Sequence, residues 1–257
     1  MGKYYSVQVN PDVNNGAATG TAFAAGDLIF DWTPFEIPKG SAALSSICIT
    51  VAGHDGANEA QGDFELIFAK SINGVAPHTL GTTHTTVSAR QGAASKNNLI
   101  WFQVCGQSAM TDDLNLTAYH TYTTGTGSSV IDGNAPVLQG STDDATQGYQ
   151  KIYMACLAGD GSTPDFGTAV ASNEAGSANV AANMTGASVP LVTSGTDPRD
   201  CFQAGDMVVG STGGPTMEVV SVDGPTGMTV KNISEQLDNG EIIVPLNPLR
   251  FTFGFTY

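Results

Sequence analysis

The stretch QGDFELIFAKSINGVAPHTLGT, Gln61 to Thr82, carries the reading of the fold. A partner, QGYQKIYMACLAGDGSTPDFGT, runs from Gln147 to Thr168, 86 positions later. Both open with Gln-Gly and close with Gly-Thr, and Ala69 aligns with Ala155 without a gap. Leu66 matches Ile152, Ile67 matches Tyr153 and Phe68 matches Met154. Each stretch is a short apolar strand, a Gly-containing turn, a proline (Pro77, Pro164) and an exit at Gly-Thr. A second match pairs LNLTAYHTY, Leu114 to Tyr122, with the terminal LRFTFGFTY, Leu249 to Tyr257, at an offset of 135. Internal repeats set an architecture, so they are weighed first. The simplest account is a duplicated β domain with about 49 extra residues in its second copy, the difference between the two offsets. The competing account is two unrelated β regions of similar composition.

Around these stretches the chain reads as short strands. Tyr4 to Val9, Asp27 to Trp32 and Phe64 to Lys70 are strands, and SSICITV, Ser45 to Val51, puts Ile47, Ile49 and Val51 on one face. Pro38 marks an edge position. His84 to Ser88 is a Thr-rich strand candidate. Leu99 to Val104, LIWFQV, is the most apolar strand and reads as central. Seven Asn-Gly or Asp-Gly pairs, beginning at Asn15, Asp55, Asn73, Asp132, Asp160, Asp223 and Asn239, tolerate the positive φ of tight hairpins. The best helical candidate, Ala169 to Met184, contains Gly176 and lacks an apolar stripe, so it reads as loop or partial helix.

The expected fold is therefore all-β: two tandem β-sandwich or jelly-roll-like domains at residues 1–124 and 125–257. GTGSS, Gly125 to Ser129, is the linker. The second copy is interrupted at about residues 198–245 by a small SH3-like barrel, opened by Ala204-Gly205-Asp206. Its strands are Met207–Val209, Met217–Val222, Met228–Val230 and Ile242–Val244.

Charge excludes some functions. Net charge is −15 with nine Lys and Arg, and charged residues make up 13% against a typical ~25%. A nucleic-acid partner needs a basic face, and an anionic membrane favours one, so neither is expected. MGKYYSVQV has no apolar signal core, and no run reaches the ~18 apolar residues of a membrane helix. Gly2 and Ser6 fit a myristoylation pattern, but no polybasic stretch supports it. Cys48, Cys105, Cys156 and Cys201 are too widely spaced for zinc and are expected as free thiols of a cytosol-made chain.

Candidate chemistry is sparse, and no catalytic, cofactor or metal residue is assigned. Asp160, Ser162, Thr163 and Asp165, near Asp143 and Asp144, offer oxygens for calcium, but no bidentate Glu follows and a solvated turn is the stronger reading. His54, His78, His84 and His120 read as exposed loop histidines, although His78 and His84 could meet across a turn. Glu36, Asp63 and Glu65 show no paired-carboxylate signal. Gly125–Gly127 and Gly210–Gly214 lack the Lys of a phosphate loop. The sequons at Asn115, Asn183 and Asn232 carry no weight without a secretory signal. In the terminal strand Leu249, Phe251, Phe253, Phe255 and Tyr257 share a face, read as core or as a docking surface rather than an outer-membrane strand.

FEIPKGSAALSSICITV (35–51), ELIFAKSINGVAPHTLG (65–81) and the module AGDMVV, MEVVSVDG, EIIVPL (204–246) carry a resemblance over the whole chain. In style the chain resembles accessory structural proteins of tailed-bacteriophage virions, of the capsid decoration or cement type. The resemblance carries over no functional residue. It implies a non-enzymatic protein made in the host cytoplasm, resident in the virion, homo-oligomeric and bound to the major capsid protein or other virion subunits. It implies no cofactor. The alternative is a tail or fibre component that grips carbohydrate with Trp32, Trp101 or Tyr122.

Overall fold

The structure, a computed structural model, describes residues 2–13, 22–40, 42–51, 62–106, 118–124, 131, 135–141, 148–161, 163–164, 166, 171–173, 186–194, 197–210 and 214–257. Its strands are β1 (Tyr4–Val9), β2 (Leu28–Pro38), β3 (Ala42–Val51), β4 (Phe64–Ala69), β5 (Leu99–Cys105), β6 (Ala118–Thr123), β7 (Val137–Leu138) and β8 (Tyr149–Ala158). There follow β9 (Ala171–Asn173), β10 (Val189–Ser194), β11 (Met207–Gly210), β12 (Thr216–Gly224), β13 (Gly227–Lys231), β14 (Ile242–Pro245) and β15 (Leu249–Thr256). Two short helices, α1 (Ala89–Ser95) and α2 (Pro198–Cys201), complete the described elements. The chain is all-β with antiparallel sheets, as its turn-rich sequence implies.

The strands form one sandwich and one barrel. The first sheet runs β1-β15-β3-β6, with β7 also on β3; the second runs β2-β8-β4-β5. One core fills the space between them. Ile47, Ile49 and Val51 of β3, Phe64, Leu66 and Phe68 of β4, Ile152 and Met154 of β8, and Phe251, Phe253 and Phe255 of β15 all belong to it. Each fully buried side chain of this size contributes about 1.5–3 kcal/mol relative to exposure. Phe253 stacks on Phe35 at 5.2 Å and meets Phe68 edge-on at 5.7 Å, so the two sheets interlock through aromatic rings.

This arrangement corrects the expectation of tandem copies. The two matched stretches are neighbours in one sheet: β4 pairs antiparallel with β8, Ile67 opposite Ala155 and Ala69 opposite Tyr153. The second matched pair, β6 and β15, flanks the same strand, β3, on its two sides. The chain therefore does not divide at residues 124 and 125, because in each sheet a strand of the second half, β15 or β8, lies between strands of the first. The resemblance between the stretches has a physical source. Phe64, Leu66 and Phe68 of β4 and Ile152, Met154 and Cys156 of β8 line the same core, and similar burial selects similar residues.

The inserted barrel is present and larger than expected. Its strands pair in the order β10-β13-β12-β11-β14-β9, and β9 pairs back onto β10. The four strands foreseen in the sequence are all there, joined by β9 and β10 from upstream of Pro198. Leu191, Phe202, Met217, Val219, Met228 and Ile243 contribute to a separate core inside it. Ala171–Asn173, placed in the loop or partial-helix candidate, is a strand; the rest of Ala169 to Met184 lies outside the described residues. The chain leaves the barrel beside the end of β1. There Val13 N–H donates to the Leu246 carbonyl (3.0 Å), and the Asn247 amide donates to the Pro11 carbonyl (2.9 Å).

Local chemistry explains other elements. Asn73 and Gly74 both have positive φ, 52° and 73°, in the two-residue turn between bridged Ile72 and Val75. His84 also has positive φ, 59°, so the segment from His84 to Ser88 is not a strand. Ser88 instead caps α1 in a reciprocal capping box with Gln91, a Ser-x-x-Gln signal legible in the sequence. β2 is an edge strand, as Pro38 suggested. β5 is an edge strand too, not a central one.

Candidate functional site

Two outward faces of the sandwich carry the features that bear on function. The first is the outer face of the β1-β15-β3-β6 sheet. Strand alternation sends Phe251, Phe253 and Phe255 inward, so Thr252 and Gly254 point outward. Registered pairing assembles two rows across four strands. One row is Ser6, Gly254, Ser46 and Thr123; the next is Gln8, Thr252, Cys48 and Thr121. Neither row contains a charged residue. Ser45 Oγ donates to the Gly254 carbonyl at 2.9 Å, at the irregularity in the β15–β3 ladder.

The second is the outer face of the β2-β8-β4-β5 sheet. Here Leu28 and Ala155, with Trp32 and Leu157, form an apolar cluster covered by Leu80 and Val87 from the connection between β4 and β5. Several polar contacts pin this cover. Trp32 Nε1 and Ser95 Oγ both donate to the His78 carbonyl (2.9 Å each). Asp31 accepts from Thr79 Oγ1 (2.5 Å) and from Leu80 N–H (3.1 Å). The neighbouring part of the sheet, at β5, remains open: Leu99, Phe102 and Val104 are 47%, 62% and 49% exposed. Phe102 stands opposite Ile67, and Val104 opposite Glu65. Gln103 points the other way, 1% exposed, with its amide donating to the Val104 carbonyl. A glutamine inside and a phenylalanine outside invert the usual pattern of an apolar strand.

A cleft of about 280 Å³ lies where the barrel meets the sandwich, lined in part by Gln8, Thr50, Gln203, Asp206, Asn247 and Arg250. Burial pushes the Asp206 carboxyl above its ordinary range, opposed by Gln203, whose N–H donates to it at 2.8 Å, and by the Arg250 charge.

The residues singled out in the sequence do not converge. Asp160 sits in an exposed turn after β8, while Asp143, Asp144, Ser162 and Asp165 lie outside the described residues. Among the described residues, no three His, Cys, Asp or Glu side chains are placed to share a metal ion. Glu36 and Glu65 lie on opposite sides of β8, in register with Lys151 and Leu157. Six residues of strand separate those positions, about 20 Å, too far for a carboxylate pair.

The histidines correct their expectation. His78 is exposed, but His84 stacks on Phe23 at 3.7 Å, and His120 lies in β6 edge-on to Tyr122 at 4.6 Å. Burial holds the His120 ring below its ordinary pKa. His54 lies outside the described residues.

None of the aromatics named for sugar binding is a free platform. Trp32 is half-buried, Trp101 packs on Phe68 at 5.4 Å, and Tyr122 is buried with its hydroxyl donating to the Gly106 carbonyl (3.4 Å). Burial, reinforced by Cys105, raises the Tyr122 pKa strongly. None of the four cysteines is in a disulfide, and burial raises the Cys156 thiol well above its ordinary range. The outward set of β5 escaped the sequence reading, because LIWFQVC is apolar on both faces and its pattern does not say which face meets the core.

No protein-family model, curated protein or solved structure matches the chain.

Proposed function

We propose that this chain is a non-enzymatic structural protein of a tailed-bacteriophage virion. In this reading it is a decoration protein that binds the outer surface of the major capsid shell and reinforces it. The observation that supports the reading is the outer face of the β1-β15-β3-β6 sheet, with its two registered rows of small or uncharged side chains. Ser, Thr, Cys and Gly lose little rotamer freedom when a neighbour immobilises them, so such a face packs at low entropic cost. Elsewhere the net charge of −15 keeps copies apart and soluble. Attachment through this face draws on uncharged hydroxyl, amide and van der Waals contacts and resists moderate salt, unlike phosphate-driven association.

The test is particle composition and strength. The protein is expected in purified particles at high copy number, and retained when salt is raised. Particles lacking it are expected to lose integrity earlier under heat and osmotic shock. Thr252→Arg, which places a long charged side chain in the middle of the face, is expected to abolish attachment while leaving the protein folded. Equal resistance with and without the protein rules out reinforcement. Absence from particles combined with measurable sugar binding favours the tail or fibre alternative instead.

A further inference from the structure

We propose that the cleft between the barrel and the sandwich binds a single sugar residue of an uncharged glycan. The inference goes beyond shell attachment, which uses the two rows of small side chains on the outer sheet face.

The argument begins with position. Arg250 of β15 stands opposite Thr50 of β3, and both point out of the sheet because Phe251 and Ile49 beside them point into the core. The barrel contributes Asp206 and Met207, at the start of β11, and the connection into β15 contributes Asn247 and Pro248. Ligand sites form preferentially at such junctions between structural units. The volume of about 280 Å³ lies just below the roughly 300–1,000 Å³ of drug-sized sites, which is room for one ring and not for a chain of them.

Charge and hydrogen bonding select the ligand. Among the described residues, Arg250 and Asp206 are the only charged side chains lining the cleft, and they are of opposite sign. On a chain of net charge −15 this lining is therefore neutral. The ion pairs among the described residues are Arg199–Asp197 and Lys231–Glu218, so Arg250 keeps its donors without a carboxylate partner. An anionic ligand meets Arg250 but is opposed by Asp206, and a cationic one the reverse. The remaining groups offer both hydrogen-bonding roles. Asn247 commits its amide N–H groups to the Pro11 carbonyl and Asp12 Oδ1 (2.9 and 2.7 Å), which leaves its carbonyl oxygen as an acceptor. Gln8 donates to Asn10 Oδ1 (3.1 Å), which leaves an acceptor on Gln8 and amide donors on Asn10. The Thr50 hydroxyl serves either role. A sugar hydroxyl donates and accepts at once, so a ring bearing several of them satisfies this mixed lining where a simple ion does not. Met207 and Pro248 add apolar surface for the C–H face of the ring.

The test is a ligand-observed NMR titration of the full chain with the methyl glycosides of glucose, galactose, mannose and N-acetylglucosamine. At least one is expected to bind, with Kd on the order of 1 mM, while acetate and L-alanine do not displace it. Arg250→Met keeps the stem and removes the donors, and is expected to weaken binding by about tenfold or more, with melting unchanged because the side chain is exposed. If that variant fails to fold, Thr50→Val is read in its place. Tyr149→Ser removes an exposed ring outside the cleft and is expected to leave binding unchanged. The proposal is overturned if none of the glycosides binds, or if acetate or L-alanine displaces the one that does. It is overturned equally by binding indifferent to Arg250→Met and Thr50→Val, or by binding that Tyr149→Ser abolishes. Particle attachment by Arg250→Met is expected to persist, since Arg250 lies outside the two rows, which separates failure of this proposal from failure of the shell-binding reading.

Discussion

Phe253→Ala tests whether the sandwich has one core. The ring is fully buried and stacks on Phe35 at 5.2 Å, on Phe251 at 6.2 Å, and edge-on to Phe68 at 5.7 Å. Removing it leaves a cavity between two β-sheets that cannot collapse without breaking ladders. Phe→Ala substitutions in such sites cost about 3–5 kcal/mol, a large share of the roughly 5–15 kcal/mol that holds a typical domain. With a urea m-value on the order of 3 kcal/mol/M, the unfolding midpoint falls by about 1–1.7 M. The assay is built into the chain. Both tryptophans, Trp32 and Trp101, belong to the sandwich, in the β2-β8-β4-β5 sheet, and the barrel has none. Tryptophan emission therefore follows the sandwich selectively, although the substituted residue lies more than 150 positions from either reporter. A midpoint shift in tryptophan emission that corresponds to less than about 1 kcal/mol, roughly 0.3 M, refutes the shared core.

Two further outcomes follow from the same topology and electrostatics. A fragment of residues 1–124 is expected to remain unfolded by circular dichroism and tryptophan emission, because it lacks β8 between β2 and β4, and β15 between β1 and β3; a cooperative melt from this fragment contradicts the interleaved sheets. Asp206, raised chiefly by burial, holds its proton to higher pH folded than unfolded, so it makes stability fall as pH rises through the window above its ordinary value of 3.8. Asp206→Asn is expected to flatten the dependence of melting temperature on pH just above 3.8 relative to wild type, and an unchanged slope shows that burial of this carboxyl is not what the barrel feels.

The sequence determined what is local. Alternation in Tyr4–Val9, SSICITV and LRFTFGFTY is enough to define strands and their inward faces, because the side-chain period of a strand is two whatever it pairs with. Asn73-Gly74 announced its turn through a backbone requirement that few residues meet. The Met- and Val-rich segments between Met207 and Val244 announced the barrel's later strands, since each is bounded by turn residues. The all-β class follows from such local signals. What they cannot specify is which strand lies beside which. β4 and β8 resemble each other, and nothing in either distinguishes a repeated position in two domains from adjacent positions in one; only the ladder between Ile67 and Ala155 does. The same holds for both candidate surfaces. The small outward rows exist because β1, β15, β3 and β6 align in register, and the residues of one row lie up to 248 positions apart, from Ser6 to Gly254. LIWFQVC is apolar enough to occupy the middle of a sheet. Its place at the edge, with Phe102 in solvent and Gln103 inside, was decided by β8, which pairs with β2 and β4 and so takes the central position that β5's composition suggests. Hydrophobic burial is proportional to area and indifferent to sequence order, so the competition among several apolar strands for one interior is settled only when all of them are packed together.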